Sequence, residues 1–364
     1  MRKYTEQELR VIWLDSFIGL EYKHKVEIYK HIENAQRIGE GLEKAKEYII
    51  NEVGQNEYNT IQNSLNQAYL DYVLNELDRK DITAITIKSD SYPQAFLNID
   101  LPPFVIYAKG NINLLSKKAF GIVGSRRSLP ISISLAESYG ASLIDAGLTL
   151  VTGIAEGVDA AVLKAGVSKK KNIISIVAGG FDNVYPASNI ELLNKVIEVG
   201  LAISEQPPKV QPKPYHFPIR NRLISALSQG VLIVSGAIKS GTLYTAEYAE
   251  EYGKDLFAIP YTPGIKSGEG CNELLKRGAI LTDTPQDIIE YYNLERKQEK
   301  IELSQIEKQI VEILSGGQTH IEKISSTLGK RTFEITPILS QLEMKRLVVK
   351  SGNVYGLVHN YSEE

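Results

Sequence analysis

The stretch Gly121-Ile122-Val123-Gly124-Ser125-Arg126-Arg127-Ser128 decides the fold. It follows an apolar run, Phe120–Val123, and leads into a helical pattern over Ile131–Ala146. The same unit of apolar run, Gly- or Ser-bearing turn and helical pattern recurs through residues 118–293. Its further strands read as Leu148–Val151, Ile173–Val177, Leu201–Ile203, Val231–Val234 and Leu256–Ile259. The intervening helices read as Ala160–Val167, Ile190–Val199, Thr242–Tyr252 and Pro285–Tyr292. Strands that are apolar throughout and alternate with helices belong to a parallel sheet covered on both faces. The fold class is therefore α/β, a Rossmann-like, doubly wound, mostly parallel sheet.

Working outward, residues 1–80 read as a helical N-terminal domain. Leu9, Ile12, Trp13 and Phe17 recur at helical spacing, as do Tyr69, Tyr72, Val73, Leu74 and Leu77. Residues 81–295 form the Rossmann-like domain, with 81–117 as a lead-in. There Ile82–Ile87 alternates like a strand, and Tyr92-Pro93 and Leu101-Pro102-Pro103 exclude a helix interior. A charged linker, 295–301, precedes a small module at 302–358. Its helical patterns, Ile306–Leu314, Ile321–Leu328 and Ile335–Met344, precede two short strands joined by Ser351-Gly352-Asn353, a winged-helix layout. Its cations Lys323, Lys330, Arg331, Lys345, Arg346 and Lys350 have as many acids nearby and outline no decisive basic face.

The formal net charge is −3, yet the charge is uneven: residues 111–228 carry 13 Lys and Arg against 8 Asp and Glu, and residues 1–80 carry 11 against 14. The positive charge thus collects where the turns lie, and local charge governs association more than the sum. The single cysteine, Cys271, excludes an intramolecular disulfide and suits a reducing cytoplasm. No stretch of about 18 apolar residues predicts a membrane span, and the N-terminus lacks a signal-peptide run. A soluble, cytoplasmic protein is expected. The histidines, His24, His31, His216, His320 and His359, are scattered, without a nucleophile or metal-ligand spacing. No catalytic residue, metal or cofactor is expected.

Four segments can meet a ligand. In the opening stretch Gly124, Ser125, Arg126 and Arg127 stand where a strand gives way to a helix N-terminus, which offers free N–H groups to phosphate. Paired arginines add bidentate geometry. The third glycine of a dinucleotide fingerprint is missing, and the same residues also make a tight turn with solvated arginines. The second segment runs from Lys209 through Lys213-Pro214-Tyr215-His216-Phe217-Pro218-Ile219-Arg220-Asn221-Arg222. Prolines hold it extended through Pro218; Arg220 and Arg222 then open a helical run, and cations alternate with rings, the pairing that single-stranded nucleic acid requires. The bland alternative is an exposed loop with Phe217 packed on the core. The third, Ser240-Gly241-Thr242, opens a helix with hydroxyls that cap it or hold an anion. The fourth, Gly153-Ile154-Ala155-Glu156-Gly157-Val158-Asp159, places Asp159 as a helix cap and Glu156 where an anion is unwelcome.

Taken in order, these stretches resemble the DNA-processing protein A family (DprA, also called Smf). The resemblance runs from about Tyr92 to Tyr292. It includes Ser91-Tyr92-Pro93, Lys109-Gly110-Asn111, Ile122–Arg126, Gly153-Ile154-Ala155, Tyr185-Pro186, Ser204-Glu205, Phe217–Arg222, Ser240–Leu243, Asn272 and Gly278-Ala279. It implies a single-stranded DNA-binding protein that protects incoming strands during natural transformation and delivers RecA recombinase onto them as a homodimer. It implies no catalytic activity. The matching pocket positions are Gly124, Ser125, Arg126, Phe217, Arg220, Asn221 and Arg222, with Lys213 as an addition. The chain departs at Glu156, where the family has arginine, at Leu163 for histidine, at Ser235 for an acidic residue, and at Tyr261 for glycine. Two other readings stay open on the residues alone. One is a nucleotide-binding or nucleotide-hydrolysing enzyme using Glu156 or Glu205. The other is a regulatory module sensing a nucleotide.

Overall fold

A computed structural model describes residues 2–294, 303–345 and 347–357. The linker expected at 295–301, the module's end residues 302 and 358, Arg346 and His359 lie outside the described residues. The chain divides into two compact units, Met1–Arg296 and Lys297–Glu364. Among the described residues no helix is long and apolar enough to cross a membrane.

The first unit opens with five helices, α1 (Glu6–Asp15), α2 (Tyr22–Ile32), α3 (Ile38–Glu52), α4 (Gln55–Asn63) and α5 (Gln67–Arg79). A capping box at Thr5 and Glu8 starts α1. Arg10 is buried in it and donates to the carbonyls of Ile32, Ala35 and Gln36, closing the end of α2. Then come β1 (Thr83–Thr86), the short α6 (Gln94–Leu97) and β2 (Val105–Gly110). The helices share a core with these strands: Trp13, Ile28, Leu42 and Leu77 pack with Ala84, Val105 and Tyr107. Residues 1–80 therefore lie in one compact unit with the sheet.

The repeated strand–helix unit gives β3 (Ala119–Val123), α7 (Pro130–Asp145), β4 (Thr149–Thr152), α8 (Val158–Lys169), β5 (Ile173–Ile176), α9 (Ile190–Val199), β6 (Leu201–Ser204), α10 (His216–Leu227), β7 (Gly230–Ile233), α11 (Gly241–Glu251), β8 (Asp255–Ala258), α12 (Glu269–Lys276), β9 (Ile280–Leu281) and α13 (Pro285–Tyr291). The sheet has nine strands in the order β1-β2-β6-β5-β4-β3-β7-β8-β9. From β6 to β9 across the sheet every pair is parallel, whereas β1 and β2 join antiparallel. The order reverses at β3, which pairs with β4 on one side and β7 on the other. Open α/β sheets bind ligands at that switch, beyond the carboxyl ends of the strands. Two cores cover the sheet, one around Ile174, Ile203, Leu223 and Ile233, the other around Phe120, Tyr139, Val162 and Phe257.

The second unit contains α14 (Gln305–Ser315), β10 (Thr319–His320), α15 (Ile321–Leu328), α16 (Thr332–Met344), β11 (Val348–Ser351) and β12 (Val354–Leu357). Its sheet runs β10-β12-β11. The hairpin turns at Gly352, whose φ of +63° suits glycine. Ile310, Leu314, Ile324, Ile335 and Leu339 form its core, and a third strand, β10, joins the hairpin.

Candidate nucleic-acid interface

The turns after β3, β4 and β5 and the start of α10 converge at the carboxyl edge. They enclose a cleft of about 60 Å³ lined by Arg126, Ile154, Ala155, Glu156, Tyr185, Pro186, Phe217 and Arg220. Small-molecule pockets run to about 300–1,000 Å³. This one suits a single small group, such as one phosphate, rather than a whole nucleotide.

Helical geometry selects which residues of α10 reach it. Phe217, Arg220 and Asn221 stand at i, i+3 and i+4 and share a face. The Arg126 guanidinium lies over the Phe217 ring, 4.9 Å from its centroid, and Tyr185 meets the same ring edge-on at 5.8 Å. Arg126 is exposed and Phe217 half-buried. Arg220 is buried and donates from Nη1 to the Ile176 carbonyl at the end of β5. Asp159 stands nearby and acts on it at a distance rather than through a direct ion pair. Gly153 makes this closeness available: a Cβ there would fall 2.3 Å from Asp159 Oδ2 and 2.5 Å from Arg220 Nη2. Burial pushes the Asp159 carboxyl up, and the Arg220 guanidinium opposes that. Asp159 also accepts from the Ala155 N–H at 3.2 Å, so it holds the fourth segment's turn from within α8, whose N-cap is Gly157 and not Asp159 as the sequence suggests.

The remaining residues fall into place around this centre. Gly124 lets the first turn touch α8, because a Cβ would sit 2.6 Å from the Val158 side chain. Ser125 donates its backbone N–H to Ser235 Oγ at 3.1 Å and accepts from the Arg127 N–H at 3.2 Å. Ser235 thus ties the turns after β3 and β7. Arg127 is exposed and outside the cleft lining. Asn221 accepts from Arg220 Nε at 3.1 Å and donates to the Gly241 carbonyl at 3.2 Å, linking the cleft to the first turn of α11. Gly241 is exposed and Thr242 buried; Ser240 Oγ is buried without a hydrogen-bond partner among the described residues. Lys213 is exposed, its ammonium 5.9 Å from the centroid of the exposed Tyr215 ring.

Arg222 departs from its expected place at the phosphate. Successive helical residues turn by about 100°, so 222 points about 200° from 220. It is 5% exposed and ion-paired with Glu205, on the side of α10 near Tyr22 and Tyr92. Glu205 is thereby engaged away from the cleft lining, outside the role considered for it as an acid or base. Glu156 lines the cleft, and its Oε1 accepts from Ser188 Oγ at 2.9 Å. The place of Tyr185 in the cleft and the closeness of Asp159 and Arg220 at Gly153 are not visible in the sequence. Tyr185-Pro186 was visible as a motif, but nothing local says that its ring meets Phe217.

Gly157 holds the loop geometry. Its φ is +76°, and a Cβ would stand 2.4 Å from the Ser125 carbonyl oxygen and 2.6 Å from that of Arg126. Gly157→Ala should cost about 1–3 kcal/mol in backbone strain alone, seen as a lower midpoint of thermal unfolding. An unchanged midpoint contradicts this packing.

Known proteins resemble the region that carries the cleft. The model of the family "DNA recombination-mediator protein A" matches residues 83–293. The DNA processing protein DprA of Bacillus subtilis is 36% identical over 233 residues, 63% of this chain and 78% of the relative. Protein Smf of Escherichia coli is 30% identical over 292 residues, 79% of this chain and 74% of the relative. Among solved structures, DNA processing protein A from Streptococcus pneumoniae superposes with a TM-score of 0.67 at 26% identity, covering 81% of this chain and 99% of that one. The DNA processing protein A from Helicobacter pylori, described for a unique single-stranded DNA binding mode, does so with 0.54 at 28% identity, covering 59% and 97%. By sequence and by fold alike, the chain belongs to the DNA recombination-mediator protein A family, DprA/Smf.

Proposed function

We propose that this chain binds single-stranded DNA without altering it, one phosphate seated between Arg126 and Arg220 and adjacent bases on Tyr185 and Phe217. The observation that carries the reading is the Arg126 guanidinium held over Phe217 beside the buried Arg220. Cation and ring are presented together, as strand binding without sequence readout requires. Arg127, Lys213 and the first turn of α11, Ser240-Gly241-Thr242, extend the phosphate path beyond the cleft. The single-stranded DNA binding described for the Helicobacter pylori relative supports this reading. With it we carry over the family role in the cytoplasm: protection of incoming strands during transformation and delivery to RecA recombinase by a homodimer. No catalytic step is proposed.

The test is a titration of fluorescent single-stranded and duplex oligonucleotides at two salt concentrations. Single strands should bind more tightly, and log K should fall by about 0.7 per phosphate contact for each tenfold rise in salt. Equal affinity for duplex, or no salt dependence, contradicts the reading.

Glu156 opposes phosphate on the cleft rim. Glu156→Gln should tighten binding at ~0.15 M salt, and Glu156→Arg should tighten it further and steepen the salt slope by about 0.7, one phosphate's worth. The same titration, run on both variants, reads this; weaker binding by Glu156→Arg contradicts the placement.

A further inference from the structure

We propose that the strand's path continues from the cleft onto helix α5, with Lys213 and Tyr215, then Lys209 and Tyr72, as successive cation–ring stations. This rests on the single-stranded DNA reading and assigns part of the binding surface to the N-terminal helices, where the sequence offered no chemistry. The Lys209 ammonium lies 5.4 Å from the centroid of the Tyr72 ring and donates to its hydroxyl at 2.8 Å. Tyr72 is 50% exposed, and the ammonium sits beyond its hydroxyl rather than over the ring. With Lys213 over Tyr215 and Arg126 over Phe217, a cation meets a ring at three places along the Lys209–Phe217 segment, by a hydroxyl hydrogen bond at Tyr72 and over the ring at the other two.

The loop between the stations is held in place. The Gly180 N–H donates to the Val210 carbonyl at 2.8 Å, Asp182 N–H to Pro208 at 2.9 Å, and Asn183 Nδ2 to Lys209 at 2.9 Å. The strand would thus meet a preformed rail rather than ordering a loose one. From Lys209 to Phe217 eight residues span at most about 26–29 Å, the reach of a strand several nucleotides long. Two acids stand near Lys209, and each has its own cation: Glu76 pairs with Arg79 at 3.0 Å and Asp182 with Lys80 at 2.5 Å. Lys209 and Lys213 keep their charge for phosphate.

The experiment uses the full chain and oligo-dT of about 4 and about 16 nucleotides, titrated by fluorescence anisotropy against wild type, Tyr72→Leu, Tyr72→Phe and Lys209→Gln. Tyr72→Leu should weaken the long strand about fivefold or more while leaving the short one unchanged. Lys209→Gln should also weaken only the long strand and lower its salt slope by about 0.7. Tyr72→Phe keeps the ring, loses the hydroxyl bond to Lys209, and should bind like wild type. Wild-type behaviour of both Tyr72→Leu and Lys209→Gln overturns the path. So does an equal loss in Tyr72→Phe and Tyr72→Leu, which would make Tyr72 only a structural tie, or an equal loss on the short strand. Those results leave the cleft reading standing, whereas wild type that binds neither strand overturns both.

Discussion

Arg222→Ala is expected to lower the unfolding free energy of the first unit by about 3–5 kcal/mol, the usual cost of removing one partner from a buried ion pair. Glu205 is almost fully buried, with a side chain 12% exposed. Burial pushes its carboxyl up, and the Arg222 guanidinium is the main influence opposing that. Without the guanidinium the folded chain must bury a bare charge or take up a proton. The sign of the pH dependence follows. A carboxyl whose folded pKa is raised stabilises the fold fully only below its unfolded value, ~4.3, and that stability is lost as pH rises toward the folded value. The deficit of Arg222→Ala against wild type should therefore be largest near neutral pH and shrink as pH falls. Replacing both partners by apolar residues of similar volume, as in Arg222→Met with Glu205→Leu, should restore most of the stability. Because Arg222 faces away from the cleft, the folded variant should bind single strands within a few-fold of wild type. Denaturant titration across pH measures the first effect. A loss below 1 kcal/mol with abolished strand binding would place Arg222 at the phosphate after all.

Arg126→Ala is the counterpart, with a large effect on binding and a small one on folding. Arg126 is exposed, so its removal strands no buried charge. In the proposed binding it would supply a charged hydrogen bond to phosphate, worth about 1.5–3 kcal/mol, along with the cation over Phe217. Affinity for single strands should fall about 10- to 150-fold, at about 1.4 kcal/mol per tenfold, and the salt slope should drop by about 0.7. Arg126→Lys should recover only part, since an ammonium keeps the charge but not the planar fork. Arg220→Ala mixes the two effects, because Arg220 is buried and its charge opposes the effect of burial on Asp159. Arg126 is therefore the cleaner probe.

The repeated apolar runs made the parallel sheet legible, because a strand covered on both faces has few polar positions. The antiparallel attachment of β2 to β6 was not legible: pairing between residues about 95 apart leaves no local trace. At the site, Arg126, Phe217 and Arg220 were legible as motif residues beside a strand end. Arg222 was misplaced because a motif written along the chain hides the rotation of about 100° per residue that turns 220 and 222 to opposite sides. Its true partner, Glu205, lies 17 residues earlier, just beyond the end of β6. Asp159 reads as a helix cap but lies inside α8, after the N-cap Gly157, and packs with Arg220 against Gly153, an arrangement that depends on Gly153 lacking a side chain. The Lys209–Tyr72 contact spans 137 residues and becomes visible only when α5 and the proline-rich loop are placed together.

The central claim is that the cleft at the carboxyl edge, and not some other surface, holds the strand. Photo-cross-linking of a single strand carrying a halogenated uracil, followed by peptide mapping, tests it most directly. The account predicts adducts on Tyr185 and Phe217, and their disappearance in Arg126→Ala. Adducts confined to the second unit, or unchanged by Arg126→Ala, would contradict it.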